Sequence, residues 1–352
     1  MLVTSDRLQV VRRRAVRTTS ALAGLVLSTA LVAACSGDDP EPEAAATPTP
    51  TSSGTARDAA TLVRANPFTG EAVPDGIPQH RAYLVKIENT DAGAPQSGLG
   101  EADLVVEELV EGGLTRIAAF FYSDLPKKVG HVRSTRTTDI ALVSPTGGQL
   151  VASGGAGKVV SQIRGAGVSF ASEDTGNLAL TRDPGKSAPY DRLLDLKAHA
   201  DAQSSPGKAP QPYLPFGAGA PEGKAMPKAF GVRFSPTTTT AWRWTGSRYT
   251  RPGSHAPSSD DFKPDTVLVL HTKQADAGYR DPAGNPVPET VLTGNGKAQI
   301  MHGGKTFTAR WHKKNAKAPF RFTIGSKKPL RLPAGKVFIE LVPVGSGGVR
   351  TR

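Results

Sequence analysis

A single cysteine, Cys35, closes an apolar run that follows an arginine cluster, and this arrangement decides where the rest of the chain must fold. Arg7, Arg12, Arg13, Arg14 and Arg17 come first; Ala21, Leu25, Val26, Leu27 and Leu31 then lead to Val32, Ala33, Ala34 and Cys35. A basic head, a short apolar centre and small residues at the end are the layout of a secretory signal. The stretch 21–34 has only about half the residues needed to cross a hydrocarbon core as a helix, so it is read as a signal and not as a permanent span.

Val32, Ala33, Ala34 and Cys35 also resemble a bacterial lipobox, in which the thiol is acylated before the signal is cut. By that resemblance residues 1–34 are removed and the mature chain begins at a lipidated Cys35 carrying palmitate-like chains. Each buried methylene contributes about 0.8 kcal/mol, and two or more acyl chains hold a protein stably on a bilayer. The expected location is the extracytoplasmic face of the cell membrane. An ordinary signal peptide that ends near a cysteine is the competing reading, and Arg12 to Arg14 leave a twin-arginine export route open.

The remaining chain has no cysteine, which excludes internal disulfides and thiolate metal sites. His131, His199, His255, His271, His302 and His312 show no metal-ligand spacing. Neither a metal nor a cofactor is expected.

Residues 35–65 are read as a disordered tether, because Asp, Glu, Pro, Ala, Thr, Ser and Gly dominate them and cannot bury enough surface to offset backbone ordering. Region 66–204 mixes strand patterns at 82–88, 104–111, 116–122 and 150–153 with helix patterns at 137–143, 158–164 and 193–200. Gly112 and Gly113 make 104–111 and 116–122 a hairpin. Residues 205–228, rich in Pro, Gly and Ala, are read as a linker or long loop. Region 229–345 shows strand patterns alone, at 230–234, 240–244, 266–270, 298–302, 306–311, 320–324 and 337–342. The expected fold class is therefore α+β: a mixed α/β domain followed by a small antiparallel all-β domain.

Charge divides at the same place. Fifteen Lys and Arg stand against twenty-two Asp and Glu between Cys35 and Ser204, and twenty-three against eight from Ser205 onward. Either the halves face each other, or the basic half meets a polyanion.

Several blocks of the chain resemble the YerB-like bacterial lipoproteins, a family whose domain carries only an unknown-function label. They are Lys86, Ile87, Glu88, Asn89; Pro95, Gln96, Ser97, Gly98, Leu99 with Ala102 and Asp103; Glu107; Val110, Glu111, Gly112, Gly113, Leu114, Thr115, Arg116; and Gly130, Val132, Arg133, Ser134 with Arg136. Ser153, Gly154, Gly155, Ala188 and Pro189 follow, and Trp311, Lys313, Phe322, Leu332, Gly335, Ile339 and Glu340 are similar to the family's carboxy-terminal domain. Where the family often has His-Asn after the Ala-Pro pair this chain has Tyr190 and Asp191, and it has Ala94 where the family has Arg. Any proton chemistry by that histidine is absent from this copy.

The densest polar set is Glu88, Asn89, Glu107, Glu111, Arg116, Arg133, Ser134 and Arg136. Glu107 and Glu111 share strand parity and are expected on one face, with the arginines as partners. Paired carboxylates and forked guanidinium groups suit a cleft for a sugar, a peptide carboxylate or a phosphate; the competing reading is a structural ion-pair network. Glu107 and Glu111 are also the minimum equipment for cutting a glycosidic bond. Ser153 to Lys158 superficially resembles a phosphate-cradling loop but lacks its spacing, so a strand-to-helix turn is expected.

In the second region Arg310, Trp311, His312, Lys313, Lys314 and Lys317 form one basic stretch with an aromatic, and Trp242, Arg243, Trp244, Arg248 and Arg251 another. They suit stacking on sugars or contact with a polyanion; the bland alternative is a sheet with Trp inside and Lys and Arg outside. Export argues against nucleic acid and leaves anionic wall polymer or headgroups. The chain is thus read as a membrane-anchored envelope protein that binds a ligand or partner, its protein partner unknown, with a wall glycan- or peptide-acting hydrolase as the alternative.

Overall fold

The strand patterns of the two regions meet in one sheet. A computed structural model describes residues 65–351 apart from Asn177 and Ala220; the signal segment, Cys35 and all but the last residue of the tether lie outside the described residues. In chain order the first region carries β1 (Tyr83–Glu88), β2 (Leu104–Leu109), β3 (Thr115–Phe121), β4 (Val129–Gly130), β5 (Gln149–Ala152), β6 (Ser169–Ser172), β7 (Leu180–Arg182) and β8 (Arg192–Leu194). After these come β9 (Lys224–Ala225), β10 (Ala229–Arg233), β11 (Thr239–Trp244), β12 (Tyr249–Thr250), β13 (Thr266–Arg280), β14 (Pro286–Val291), β15 (Gly294–His302) and β16 (Lys305–Lys313). The chain closes with β17 (Arg321–Ile324), β18 (Lys328–Leu330), β19 (Val337–Pro343) and β20 (Gly348–Thr351). Helices occupy Thr138–Val143, Gly157–Gly165 and Leu196–Asp201.

The main sheet runs β18-β17-β16-β15-β13-β19-β2-β3-β1-β5-β6. The hairpin of β2 and β3 forms as its Gly112–Gly113 turn suggests, and β19 lies parallel between β13 and β2. This pairing corrects the expectation that the later strands form a purely antiparallel sheet of their own: a strand from the end of the chain is hydrogen-bonded in parallel to the first region. The physical reason is burial. Every residue of β1, β3 and β19 is buried, so none of these strands can stand at an edge or face water.

Alternation within the central strands feeds two cores. Leu84, Leu104, Val106, Ala118, Phe120, Leu268 and Ile339 face a layer that includes the helices Thr138–Val143 and Gly157–Gly165 together with Phe68 and Tyr213. Tyr83, Val85, Val105, Ile117, Val267 and Phe338 face the small sheet β12-β11-β10-β20, through Phe230, Val232, Trp242 and Tyr249, and the β4-β8-β7 sheet through Leu194.

The segment expected as a helix over 193–200 divides. Residues 192–194 pair as β8, and the helix starts only after Asp195, whose carboxylate accepts from Ala198 N at 2.8 Å. That cap sets the boundary. Ser153 to Ala156 form the turn between β5 and the helix Gly157–Gly165.

Candidate functional site

Period two places Glu107 and Glu108 of β2 on opposite faces of the sheet, each in a different polar environment. Glu107, without exposed surface, points to the face covered by β11. Thr240 Oγ1 lies 2.9 Å from both of its oxygens, Thr115 Oγ1 donates at 2.7 Å and Asn89 Nδ2 at 3.1 Å. Gln96 Nε2 in turn donates to Asn89 Oδ1 at 3.1 Å and to Glu88 O at 2.7 Å. The carboxylate is thereby fixed by donors from both sequence regions.

Glu340 stands opposite Glu107 in the β19–β2 register and is equally buried. Burial pushes its carboxyl well above the usual range, and the neighbouring Glu107 adds to this; the Trp242 indole, donating to Glu340 Oε1 at 2.6 Å, opposes it. A protonated Glu340 can donate to Glu107. The charge of Glu107 thus adds to the cost of ionising Glu340.

Above Glu107 opens a cavity of about 110 Å³, lined by Asn89, Thr115, residues 238–241 and residues 251–255. Arg251 of this wall pairs with Asp261 at 2.5 Å and packs its guanidinium over Phe338 at 5.0 Å. At the rim His255 approaches Asp91 at 3.4 Å. A larger depression of about 540 Å³, walled by Pro212, Leu214 and Phe216, carries Arg331 as its sole titratable lining residue among the described residues and offers less chemistry.

The other face of the hairpin holds an ion-pair network. Glu111 receives Arg136 and, at 3.3 Å, Arg116; Glu88 receives Arg133, whose guanidinium also stacks 4.5 Å from the Tyr190 ring. Arg116 donates to Ser134 O at 3.2 Å. Burial pulls the Arg116 guanidinium down to about 10, with Arg136 and Arg133 adding repulsion and Glu111 and Glu88 opposing. Glu111, despite burial, is held below the usual carboxylate range by its bond to Arg136 and the charges of Arg116 and Arg136.

The eight polar residues singled out in the sequence therefore separate into two groups. Glu88, Glu111, Arg116, Arg133, Ser134 and Arg136 come together in the ion-pair network, whereas Asn89 and Glu107 belong to the cavity. The expected single face for Glu107 and Glu111 is corrected, because β2 ends at Leu109 and Glu111 opens a tight turn that breaks the strand period. The turn needs left-handed backbone at Gly112 (φ 68°) and Gly113 (φ 75°), which glycine supplies without strain. Sequence reasoning missed Glu340, Thr240 and Trp242 as neighbours of Glu107. The signal that could have found Glu340 is one acid inside the otherwise apolar run 337–342.

In the basic region Trp242 and Trp311 are buried, and Lys313 is buried too, donating to the carbonyls of Asn315, Ala316 and Ala318. The indoles sit inside, as in the blander reading, and surface stacking on sugars by these two rings is excluded. No group of three or more His, Cys, Asp or Glu is placed to hold a metal among the described residues.

Comparison with known proteins agrees with this architecture. Residues 68–207 match the family described as "Protein of unknown function (DUF3048) N-terminal domain", and residues 230–339 match its C-terminal domain. "Putative lipoprotein YerB" of Bacillus subtilis (strain 168) is 40% identical over 85 residues, a stretch spanning 24% of this chain and 25% of that protein. The crystal structure of the YerB protein from Bacillus subtilis superposes with a TM-score of 0.69 at 20% identity, covering 82% of this chain and 99% of that one, a likeness that speaks for the fold. The chain belongs to the YerB-like family, whose function carries no description.

Proposed function

We propose that this protein is a lipoprotein moored through Cys35 on the outer face of a bacterial cell membrane, and that its folded part binds a small polar ligand in the cavity above Glu107. The mooring is supported by the signal layout and lipobox-like residues before Cys35 and by a relative named as a lipoprotein. The binding reading rests on one observation: a buried carboxylate, held by donors from both regions, forms the floor of a hydroxyl-lined cavity.

Hydrolysis by Glu107 with Glu111 is poorly supported, since the two lie on opposite faces and Glu111 is engaged by two arginines. Glu340, the neighbouring carboxyl, is fully buried, bonded to the Trp242 indole and absent from the cavity wall, so it is not placed to act on a bound sugar as the second carboxyl. The basic region adds a second contact in the same reading. Lys297 and Arg310 are exposed and face each other across β15 and β16, and exposed Arg321 pairs opposite His312, a row suited to anionic wall polymer or headgroups.

The test uses detergent-extracted mature protein and, as probes, disaccharide and stem-peptide fragments of peptidoglycan, followed by thermal shift and by mass analysis of the fragments. Binding should raise the melting temperature of wild type but not of Thr240→Val, with the fragments recovered intact. Product release that depends on Glu107 would replace the binding reading with the hydrolytic one.

A further inference from the structure

A second set of fully buried ionisable groups takes no part in the cavity. Lys86 of β1, Glu108 of β2 and Asp139 of the helix Thr138–Val143 meet in the core, and none of the three side chains has exposed surface. Lys86 Nζ touches Glu108 and lies 2.9 Å from Asp139 Oδ1. One ammonium facing two carboxylates, all without exposed surface, is costly to maintain as ions.

The two oxygens of Asp139 are held differently. Oδ2 accepts from Thr135 Oγ1 at 2.8 Å and from Arg136 N at 2.7 Å. Oδ1 has Lys86 Nζ beside it and no further donor among the described residues. This asymmetry is what acyl transfer to an amine requires: fixed donors on the oxygen that gathers negative charge, a second oxygen free to leave, and a nucleophile at contact distance. Glu108 supplies the remaining part. Burial raises its carboxyl to about 6, Lys86 opposing and Asp139 adding, so it can accept and return a proton near neutrality.

We propose that Lys86 and Asp139 condense into an intramolecular amide cross-link, with Glu108 as the proton shuttle. Glu108 carries one proton from the Lys86 ammonium to Asp139 Oδ1, which leaves a neutral amine beside a neutral carboxylic acid. Nζ then attacks Asp139 Cγ, and the negative charge develops on Oδ2 under Thr135 Oγ1 and Arg136 N. Glu108 takes the second proton from the now cationic nitrogen and delivers it to the Oδ1 hydroxyl. The Cγ–Oδ1 bond breaks, one water departs, and the carbonyl re-forms at Oδ2. No oxidant, reductant or activated donor is needed, and Glu108 ends as it began.

The product keeps both hydrogen bonds on Oδ2 and turns two buried charges into one amide whose N–H faces Glu108. It would tie β1 covalently to the helix Thr138–Val143 in a chain whose sole cysteine, Cys35, leaves no disulfide to do so.

Peptide mass spectrometry of the full-length mature protein, extracted from membranes and digested with trypsin after denaturation, decides the matter. The expected species joins fragments 82–116 and 137–158, is lighter than their sum by one water, and remains uncut after Lys86. Recovery of 82–86, 87–116 and 137–158 as separate linear peptides at full mass overturns the proposal. Glu108→Gln should yield the linear fragments while retaining native circular dichroism; a cross-link that persists in this variant removes Glu108 from the mechanism.

Discussion

Glu107 of β2 and Glu340 of β19 face each other across a parallel strand pair that joins the acidic and basic regions of the chain, with Trp242 Nε1 2.6 Å from Glu340 and Thr240 Oγ1 2.9 Å from Glu107. The seam between the regions thus carries two adjoining buried carboxyl groups, each bonded to a side chain of β11.

The pH dependence of stability follows from this pair. Glu340 binds its proton more tightly folded than unfolded, so its contribution is fully present below the ordinary glutamate range and is lost as pH rises toward its elevated folded value. Glu340→Gln should gain on wild type by roughly 1.4 kcal/mol per pH unit across that window. Denaturant melts of both proteins between about pH 4 and pH 8 check this; a constant difference would show that Glu340 does not titrate there.

Removing single donors from the pair should cost measurably. Trp242→Phe and Thr240→Val each leave a buried carboxyl short of a hydrogen bond, and each is expected to lower stability by about 1–3 kcal/mol. Urea unfolding followed by circular dichroism measures it. Trp242→Phe should also raise the protonated fraction of Glu340, since the indole favours the charged form.

Ion pairs in the network on the other face should differ from those at the surface. Arg136→Ala leaves Glu111 short of its strongest partner in a nearly buried setting and is expected to cost about 3–5 kcal/mol. Lys197→Ala removes a pair with Asp201 in which both side chains are more than half exposed, with an expected cost below about 1 kcal/mol. Equal losses in the two variants would contradict the assignment of the network as structural.

The regions should not fold apart. A fragment ending near Ser204 leaves β2 without β19, exposing an unpaired edge and the apolar side chains that β19 covers. Fragments 66–204 and 205–352, expressed separately, are expected to aggregate or remain unfolded by size exclusion and circular dichroism, and to regain structure when mixed. Independent cooperative melting of either fragment would restore the two-domain expectation.

Local features were legible in the sequence and long-range ones were not. The hairpin around Gly112 and Gly113 announced itself through alternation and turn residues, and the strands of the basic region through their spacing. The β2–β19 pairing could not be read, because both strands are buried on both faces and such runs carry no mark of which neighbour they take. Glu107 was visible as an acid on an apolar strand, whereas its partners Glu340, Thr240 and Trp242 are distant in sequence. Lys86 and Glu108 interrupt apolar strands in the same manner, but their meeting with Asp139 depends on how the helix Thr138–Val143 settles on the sheet.

Cys35→Ser is the most direct test of the proposed location. Cells expressing wild type should hold the protein in the membrane fraction, accessible to protease added outside, and the serine variant should leave that fraction in an unacylated form. A serine variant that stays as firmly in the membrane, or a wild-type protein recovered from the cytosol, would contradict a lipid mooring at the outer surface.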